Sequence, residues 1–531
     1  MLLDDGTYFS LEIPALQTLR DRLEEARELG ELDGDRVQTQ TLNASLWDEL
    51  LELGVVDEQL ADWRERIARL AAAKPPHPVE PPTGLHAELR PYQQDGLDWL
   101  SFLWDNGLGG VLADDMGLGK TVQTLALFQR VVDQQPGARF LVVAPTSVIA
   151  NWAAEARRFT PDLEVLTVSA TQKRVGSKLS ERASDAQIVI TSYALMRIDY
   201  EAFASVDWTG TIFDEAQFLK NHNSKTYQAA RRLNAPFKLA ITGTPMENRV
   251  MELWSLVSVV APGLYSSPKL FKEHFAEPIE SGQAPERLEI LRRRLRPIML
   301  RRTKDQVLVD LPEKQEQILP IELDPKHRKI YDTYLARDRQ QLLGLLQDFD
   351  GNRIQVLRAL TRLRQLSLHP GLVDEEHASI HAAKIEYLSE QLPGLIDEGH
   401  SALVFSSFTG FLKLIAQTLD HQKIAYSYLD GSTPISRRGA QIEQFTDGTT
   451  RVFLISLKAG GFGLNLTAAD YIFMTDPWWN PAAESQAVDR AHRIGQHRAV
   501  TVYRMVSTGT IEEKVVDLQD RKRQLFDALL D

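Results

Sequence analysis

Residues 111–127 read Val-Leu-Ala-Asp-Asp-Met-Gly-Leu-Gly-Lys-Thr-Val-Gln-Thr-Leu-Ala-Leu, and no other stretch constrains the fold as tightly. A short apolar strand runs into a turn held open by Gly117 and Gly119, and a helix starts at Lys120 and Thr121. That is the layout of a phosphate-binding loop. The backbone from Asp115 through Met116, Gly117, Leu118 and Gly119 cradles an anion at a helix N-terminus. Lys120 meets the outer phosphates, and the Thr121 hydroxyl holds Mg²⁺. One letter departs from the common G-x-x-x-x-G-K-T pattern, since Asp114 stands where the first glycine would be. The alternative for such a stretch is a glycine-rich turn with a solvated lysine.

Strands and helices alternate after the loop. Phe140–Ala144, Gln187–Thr191, Thr211–Asp214 and Lys238–Thr242 are uninterrupted apolar strands, which predicts a parallel sheet covered on both faces. The pattern lapses between about 263 and 375, where helical spacing dominates. It resumes at Ala402–Ser406, Ile424–Tyr428, Val452–Ser456, Tyr471–Thr475 and Thr501–Arg504. A second α/β domain is expected there, without a phosphate loop of its own.

Asp214 and Glu215 lie at the end of a strand, where ligands sit in such sheets. Asp214 there holds Mg²⁺, and Glu215 takes a proton from the water that attacks a γ-phosphate. Taken alone, a strand-end Asp-Glu also marks a helix start. Together with the loop, the pair points to ATP hydrolysis. Upstream, Leu97, Trp99 and Leu100 read as core. Tyr92 and Gln93 either join that core or meet an adenine by stacking and hydrogen bonding.

The ordered blocks LRPYQQDGLDWL, ADDMGLGKT, VVAPTSVIANWAAE, ITSY, DEAQ and ITGTPMENRVMELWSL resemble the first lobe of SWI/SNF-type DNA-dependent ATPases, which are superfamily-two helicase relatives. The likeness continues through Leu300–Asp305, Leu311–Lys314 and Leu368–Pro370. It ends with VFLISLKAGGFGLNLTAADYIFMTDPWWNP and QAVDRAHRIGQ, so that it covers about residues 85–515. Asp114 is the form that this family's loop takes.

The resemblance implies an α/β fold of two RecA-like lobes with helical protrusions. It also implies ATP and Mg²⁺ as ligands, and Tyr92 and Gln93 as adenine contacts. Arg490 and Arg493, three apart at an expected helix start, become arginine fingers from the second lobe. Gln217 stands where many relatives have His; in the family that side chain links the nucleotide site to the second lobe, and Gln keeps a donor and an acceptor. Trp152, Thr191, Ser192 and Lys220 on the first lobe are candidate contacts to a DNA backbone. On the second lobe the candidates are Ser456, Lys458, Ala459, Gly460, Asn480 and one of two tryptophans, with Trp478 as the candidate. None reads base edges, so sequence-independent binding to double-stranded DNA is expected. Arg292–Arg294 and Arg301–Arg302 read as a solvated face, with a DNA-facing patch as the alternative.

The expected domains are an acidic helical accessory segment (1–73), a Pro-rich linker (74–84), lobe 1 with its protrusion (85–312), the second protrusion with lobe 2 (313–510), and a C-terminal brace helix (511–531). Residues 1–80 carry 18 acidic and 8 basic side chains; the other 451 carry 55 and 52. The body is therefore nearly neutral, and charge alone gives nucleic acid no support. The N-terminal segment reads as a small bundle packed on the body, or else as an acidic regulator of a basic groove, and the natural chain is expected to extend upstream of Met1. The absence of cysteine excludes disulfides and cysteine-bound zinc. No membrane span or secretory signal is seen. The expectation is a monomeric DNA motor with an unidentified protein cargo, cytoplasmic and nucleoid-associated in a bacterium, which is the favoured source, or nuclear in a eukaryote. A strand-separating helicase and a DNA-binding scaffold with weak ATPase are the alternatives.

Overall fold

The computed structural model describes residues 32–33, 36–37, 78–247, 249–262, 264–265, 267–282, 284–307, 312–345, 349–457, 466–493 and 495–530. The acidic helices expected over 1–73 and the start of the linker lie outside these residues, save for Leu32–Asp33 paired antiparallel with Arg36–Val37. The end of the linker is fastened to the body. Val79 N–H donates to Asp98 Oδ1 at 2.9 Å, and Gln94 Nε2 donates to the Val79 carbonyl at 2.6 Å. No helix among the described residues is long and apolar enough to cross a membrane.

The chain forms two compact units, Met1–Val307 together with Leu525–Asp531 and Leu308–Gln524, so that the first break falls a few residues before the expected one. Among its described residues the first has a seven-stranded sheet: β1 (Gly110–Leu112), β2 (Phe140–Ala144), β3 (Val165–Thr167), β4 (Ile188–Ser192), β5 (Gly210–Asp214), β6 (Phe237–Ile241) and β7 (Met299–Leu300). Their order across the sheet is β3-β4-β2-β5-β6-β1-β7, and every pairing is parallel. The helices that follow strands or cover the faces include α1 (Pro91–Asp105), α2 (Lys120–Gln134), α3 (Ile149–Phe159), α4 (Val250–Val260) and α5 (Pro285–Leu295). The central strands are buried along their whole length. This is why they read as continuous apolar runs instead of alternating ones.

The second unit is built the same way. Strands β8 (Lys314–Ile321), β9 (Ala402–Ser406), β10 (Tyr426–Leu429), β11 (Val452–Ser456), β12 (Tyr471–Met474) and β13 (Val500–Ser507) lie in the order β8-β13-β12-β9-β11-β10, again all parallel. Successive side chains feed opposite layers. Leu403, Phe405, Phe453, Ile455, Ile472 and Met474 pack on one face; Val404, Leu454 and Phe473 pack on the other. Two long helices, α6 (Pro325–Leu345) and α7 (Phe349–Leu368), pack along each other as the helical protrusion. Around them are α8 (Ala383–Asp397), α9 (Thr409–His421), α10 (Pro481–Val488) and α11 (Ile511–Leu530). The stretch read as helical also holds β7 and β8. Strand β8 is an edge whose first residues are exposed, so its side chains lack the apolar signal of a central strand.

Candidate functional site

Parallel register brings the chemistry to one edge of the first sheet. Leu112 of β1 is level with Ile241 of β6, and Ile241 is level with Asp214 of β5. The loops leaving these three strands therefore start side by side at the carboxyl edge.

The loop after β1 turns through Gly117 at φ 88° and Gly119 at φ 76°, a left-handed conformation that favours glycine. Gly119 is also closely packed, since a Cβ there would lie 2.4 Å from Gln93 Nε2. Helix α2 begins at Lys120, whose ammonium donates to the carbonyls of Asp114 (2.5 Å) and Asp115 (3.0 Å). Gly243, in the loop after β6, lets that loop run close to Met116; a Cβ would meet Met116 Cγ at 3.2 Å.

Asp114 explains its own departure from the common pattern. Its carboxylate is buried and receives two parallel bonds from Arg302, Nε to Oδ1 at 3.0 Å and Nη2 to Oδ2 at 2.5 Å. Arg302 also donates to Gln123 Oε1 at 2.8 Å and to the Tyr92 carbonyl. The expectation of a solvated Arg302 is thus corrected, because this guanidinium is an internal counter-charge 188 residues from its partner. Beside it, the Lys304 N–H donates to Asp115 Oδ2 at 3.0 Å.

Tyr92 and Gln93 belong to the first turn of α1 and are buried. Gln93 Nε2 donates to the Leu118 carbonyl at 3.2 Å, and its Oε1 accepts from Arg90 N–H at 3.0 Å. Gln93 therefore braces the loop from below. The Tyr92 hydroxyl is buried with no hydrogen-bond partner among the described residues.

At the end of β5, Asp214 Oδ2 accepts from Trp152 Nε1 at 2.6 Å, and Oδ1 accepts from the Glu215 N–H at 2.9 Å. Burial, reinforced by the neighbouring Glu215 charge, pushes the Asp214 carboxyl up to about 7. Glu215 itself sits at φ 48°, a left-handed backbone unusual outside glycine. Its Oε2 accepts from Gln217 Nε2 at 2.8 Å; Gln217 Oε1 accepts from the Thr242 hydroxyl at 3.1 Å; and Thr242 Oγ1 accepts from Thr244 N–H at 3.0 Å. Gln217 is thus the link from the strand-end acid to the loop after β6.

The half-buried Asp214 carboxylate beside Glu215 and the hydroxyl of Thr121 are oxygen donors of the kind a divalent cation takes, and Lys120 offers a positive charge to phosphate. The raised Asp214 also makes a stability prediction in metal-free protein. Its folded-state affinity for a proton exceeds that of the unfolded chain. The resulting stability is full below the usual carboxylate range and is lost as pH rises through about 7. Asp214→Asn should therefore raise the melting temperature near pH 8 by on the order of several degrees, with little gain near pH 4. An equal gain at both values would count against the shift.

Several candidate DNA contacts have partners within the chain. Trp152 is buried against Asp214, because its indole N–H serves that carboxylate. Lys220 is buried with Glu247 at 2.8 Å, and burial lowers its affinity for a proton. The Thr191 hydroxyl donates inward to the Val168 carbonyl at 3.2 Å, and Ser192 Oγ caps the following helix by accepting from Leu195 N–H at 3.1 Å. In the second unit Ser456 is the buried last residue of β11. Lys458, Ala459 and Gly460 lie outside the described residues. Asn480 caps α10 by accepting from Ala482 N–H at 3.1 Å. Trp478 and Trp479, both half-buried, flank the Arg364 guanidinium at 5.0 and 5.5 Å from their ring centres. Arg364 Nη2 in turn bonds Asp476 Oδ2 at 3.1 Å and the Pro477 carbonyl at 2.8 Å.

Helix α10 ends at Val488, so Arg490 and Arg493 sit in the turn beyond it and not on a shared helical face. Arg490 is buried and Arg493 is half-buried.

A phosphate loop and a strand-end acid pair at one sheet edge, followed by a second parallel-sheet unit, define the class of two-lobed phosphate-loop proteins. The chain belongs to the SNF2 family: the SNF2-related domain matches residues 92–372, and the helicase conserved C-terminal domain matches residues 383–495. It is 37% identical over 477 residues to the putative ATP-dependent helicase/translocase YwqA of Bacillus subtilis, covering 88% of this chain and 51% of that one. It is 33% identical over 462 residues to the ISWI chromatin-remodeling complex ATPase ISW1 of Saccharomyces cerevisiae, covering 84% and 41%. The chain thus spans about half the length of these relatives, or less. Among solved structures it is similar to the Sulfolobus solfataricus SWI2/SNF2 ATPase core in complex with dsDNA, at 34% identity and a TM-score of 0.45, covering 85% of this chain and 94% of that one.

Proposed function

We propose that this chain is an ATP-dependent motor that hydrolyses ATP and translocates along double-stranded DNA without sequence specificity, remodelling protein–DNA complexes. The observation that carries the reading is the convergence of Lys120, Asp214, Glu215 and the Gln217–Thr242 link on one sheet edge. Family membership supports it, as do relatives named as a translocase and as a remodelling ATPase.

In this reading the loop backbone and Lys120 bind the triphosphate, and Glu215 accepts a proton from the attacking water. The new water-oxygen–phosphorus bond replaces the bond to ADP. Thr121 and Asp214 are the residues that would hold Mg²⁺, which neutralises phosphate charge when bound. Resemblance assigns Arg490 and Arg493 to the charge of the transition state, a role worth ~10³–10⁵-fold for an arginine finger. That role asks more of Arg490, which is buried, than of Arg493, which is half-buried. With DNA as its track the motor would work at the nucleoid of a bacterial cytoplasm, or in the nucleus of a eukaryotic cell.

ATP turnover should rise at least about tenfold with duplex DNA and less with RNA, and the stimulation should weaken with salt. Turnover indifferent to duplex DNA would remove the translocase reading. Because the relatives' names include helicase, a forked duplex belongs in the same experiment; strand separation there would replace translocation alone with unwinding.

A further inference from the structure

Arg302 ties together three elements that a nucleotide has to meet. It clamps the Asp114 carboxylate at the first position of the loop, bonds Gln123 on the first turn of α2, and bonds the Tyr92 carbonyl on the first turn of α1. Its guanidinium also lies 5.5 Å from the centre of the Tyr92 ring. The surrounding chain is shaped for this arrangement. At Gly96 a Cβ would lie 1.8 Å from Gln123 Oε1 and 2.8 Å from Arg302 Nη2, so only glycine admits the pair. The next residue of the loop is fastened from the same segment, Asp115 N–H to the Arg302 carbonyl at 3.0 Å and Lys304 N–H to Asp115 Oδ2 at 3.0 Å. Lys120 takes its bearing from that same stretch, because both of its acceptors are the carbonyls of Asp114 and Asp115.

We propose that Arg302 is a positioning residue for nucleotide binding: an internal cation that holds the Asp114 carboxylate standing in place of the common loop's first glycine, and so sets the backbone on which Lys120 and the phosphates rely. The inference rests on the ATP reading. Arg302 approaches no reacting atom. It fixes the shape of the loop equally before and during the chemical step, so its loss weakens ground state and transition state alike. Uniform binding of this kind appears in KM and leaves kcat unchanged. Lysine is a poor substitute, because an ammonium cannot present the planar fork that serves Asp114, Gln123 and Tyr92 together.

The test is ATP turnover and equilibrium binding of a fluorescent ADP analogue by the full chain carrying Arg302→Lys or, separately, Asp114→Asn. Both variants should raise KM and the analogue's Kd about tenfold or more, with saturated turnover within about threefold of the parent. Combining Arg302→Met with Asp114→Gly, which restores the common loop letter and leaves no buried charge, should recover part of the lost affinity. Three results overturn the proposal: an unmoved KM with only a lowered melting temperature, a collapse of saturated turnover at unchanged KM, or loss of the folded circular dichroism spectrum in both single variants. A parent chain that binds no nucleotide removes the ATP reading together with this one. A parent that binds while the variants match it removes only this one.

Discussion

Glu215→Gln is expected to bind ATP within about threefold of the parent and to hydrolyse it ~10²–10⁴-fold more slowly, the contribution of a positioned general base. The substitution leaves geometry alone. Glutamine has the same length, and its Oε1 can still accept from Gln217 Nε2, so the chain of bonds through Thr242 to Thr244 persists. Only the capacity to take a proton disappears. The backbone offers a second, independent readout. Glu215 holds φ 48° and ψ 54°, where a Cβ costs roughly 1–2 kcal/mol. Glu215→Gly should therefore be as inactive as Glu215→Gln yet lose less stability to denaturant than Glu215→Ala, which removes the same bond to Gln217 and keeps the strained Cβ. That difference marks a position kept strained for function. Steady-state turnover with duplex DNA, nucleotide binding and denaturant unfolding together decide it; normal turnover in Glu215→Gln would remove this residue from its role.

What sequence could show followed from burial. Central strands such as Phe140–Ala144, Ala402–Ser406 and Val452–Ser456 are covered on both faces, and their continuous apolar letters announced them with matching bounds. Two edge strands were missed for the converse reason: Val165–Thr167 is half-exposed, and the first residues of Lys314–Ile321 are solvated, whereas the edge strand Tyr426–Leu429, with two of its residues buried, was read as Ile424–Tyr428, starting two residues early. The loop and the strand-end position of Asp214 and Glu215 were legible because those patterns are local in the sequence. The internal partners of Arg302, Lys220 and Trp152 were not legible, since a basic or aromatic letter carries no record of its partner. Arg302 answers Asp114, Lys220 answers Glu247, and Trp152 answers Asp214 across 62 positions. Pairings of this kind arise only when parallel strands bring distant loops to one edge. The same limit applied to Arg490 and Arg493, whose spacing suggested a helix that in fact stops at Val488.

The largest stability loss is expected from Lys384→Met in the second unit. Lys384, at the start of α8, is 1% exposed, and its ammonium donates to Glu512 Oε2 at 2.6 Å, the Thr475 carbonyl at 2.7 Å and the Met505 carbonyl at 3.1 Å. All three of its donors are used. Glu512 is equally buried, and burial already holds its carboxyl above the usual range despite the adjacent ammonium. Removing Lys384 leaves a carboxylate inside the protein with the Ser507 N–H, at 2.7 Å, as its remaining donor. Breaking one side of such a pair costs about 3–5 kcal/mol, which thermal or denaturant unfolding of the full chain would read directly. The deficit should shrink as pH falls, because a protonated Glu512 needs no counter-charge. Lys384→Met with Glu512→Leu should recover much of the loss, since neither charge then remains buried. The damage should also travel. Glu512 opens α11, whose Gln519 and Lys522 donate to the carbonyls of Trp478 and Trp479 at 2.5 and 2.9 Å. Loosening that helix in the single variant should shift tryptophan fluorescence before global unfolding begins. A single variant as stable as the parent would show that the site admits water and that the pair is not the buried anchor its geometry describes.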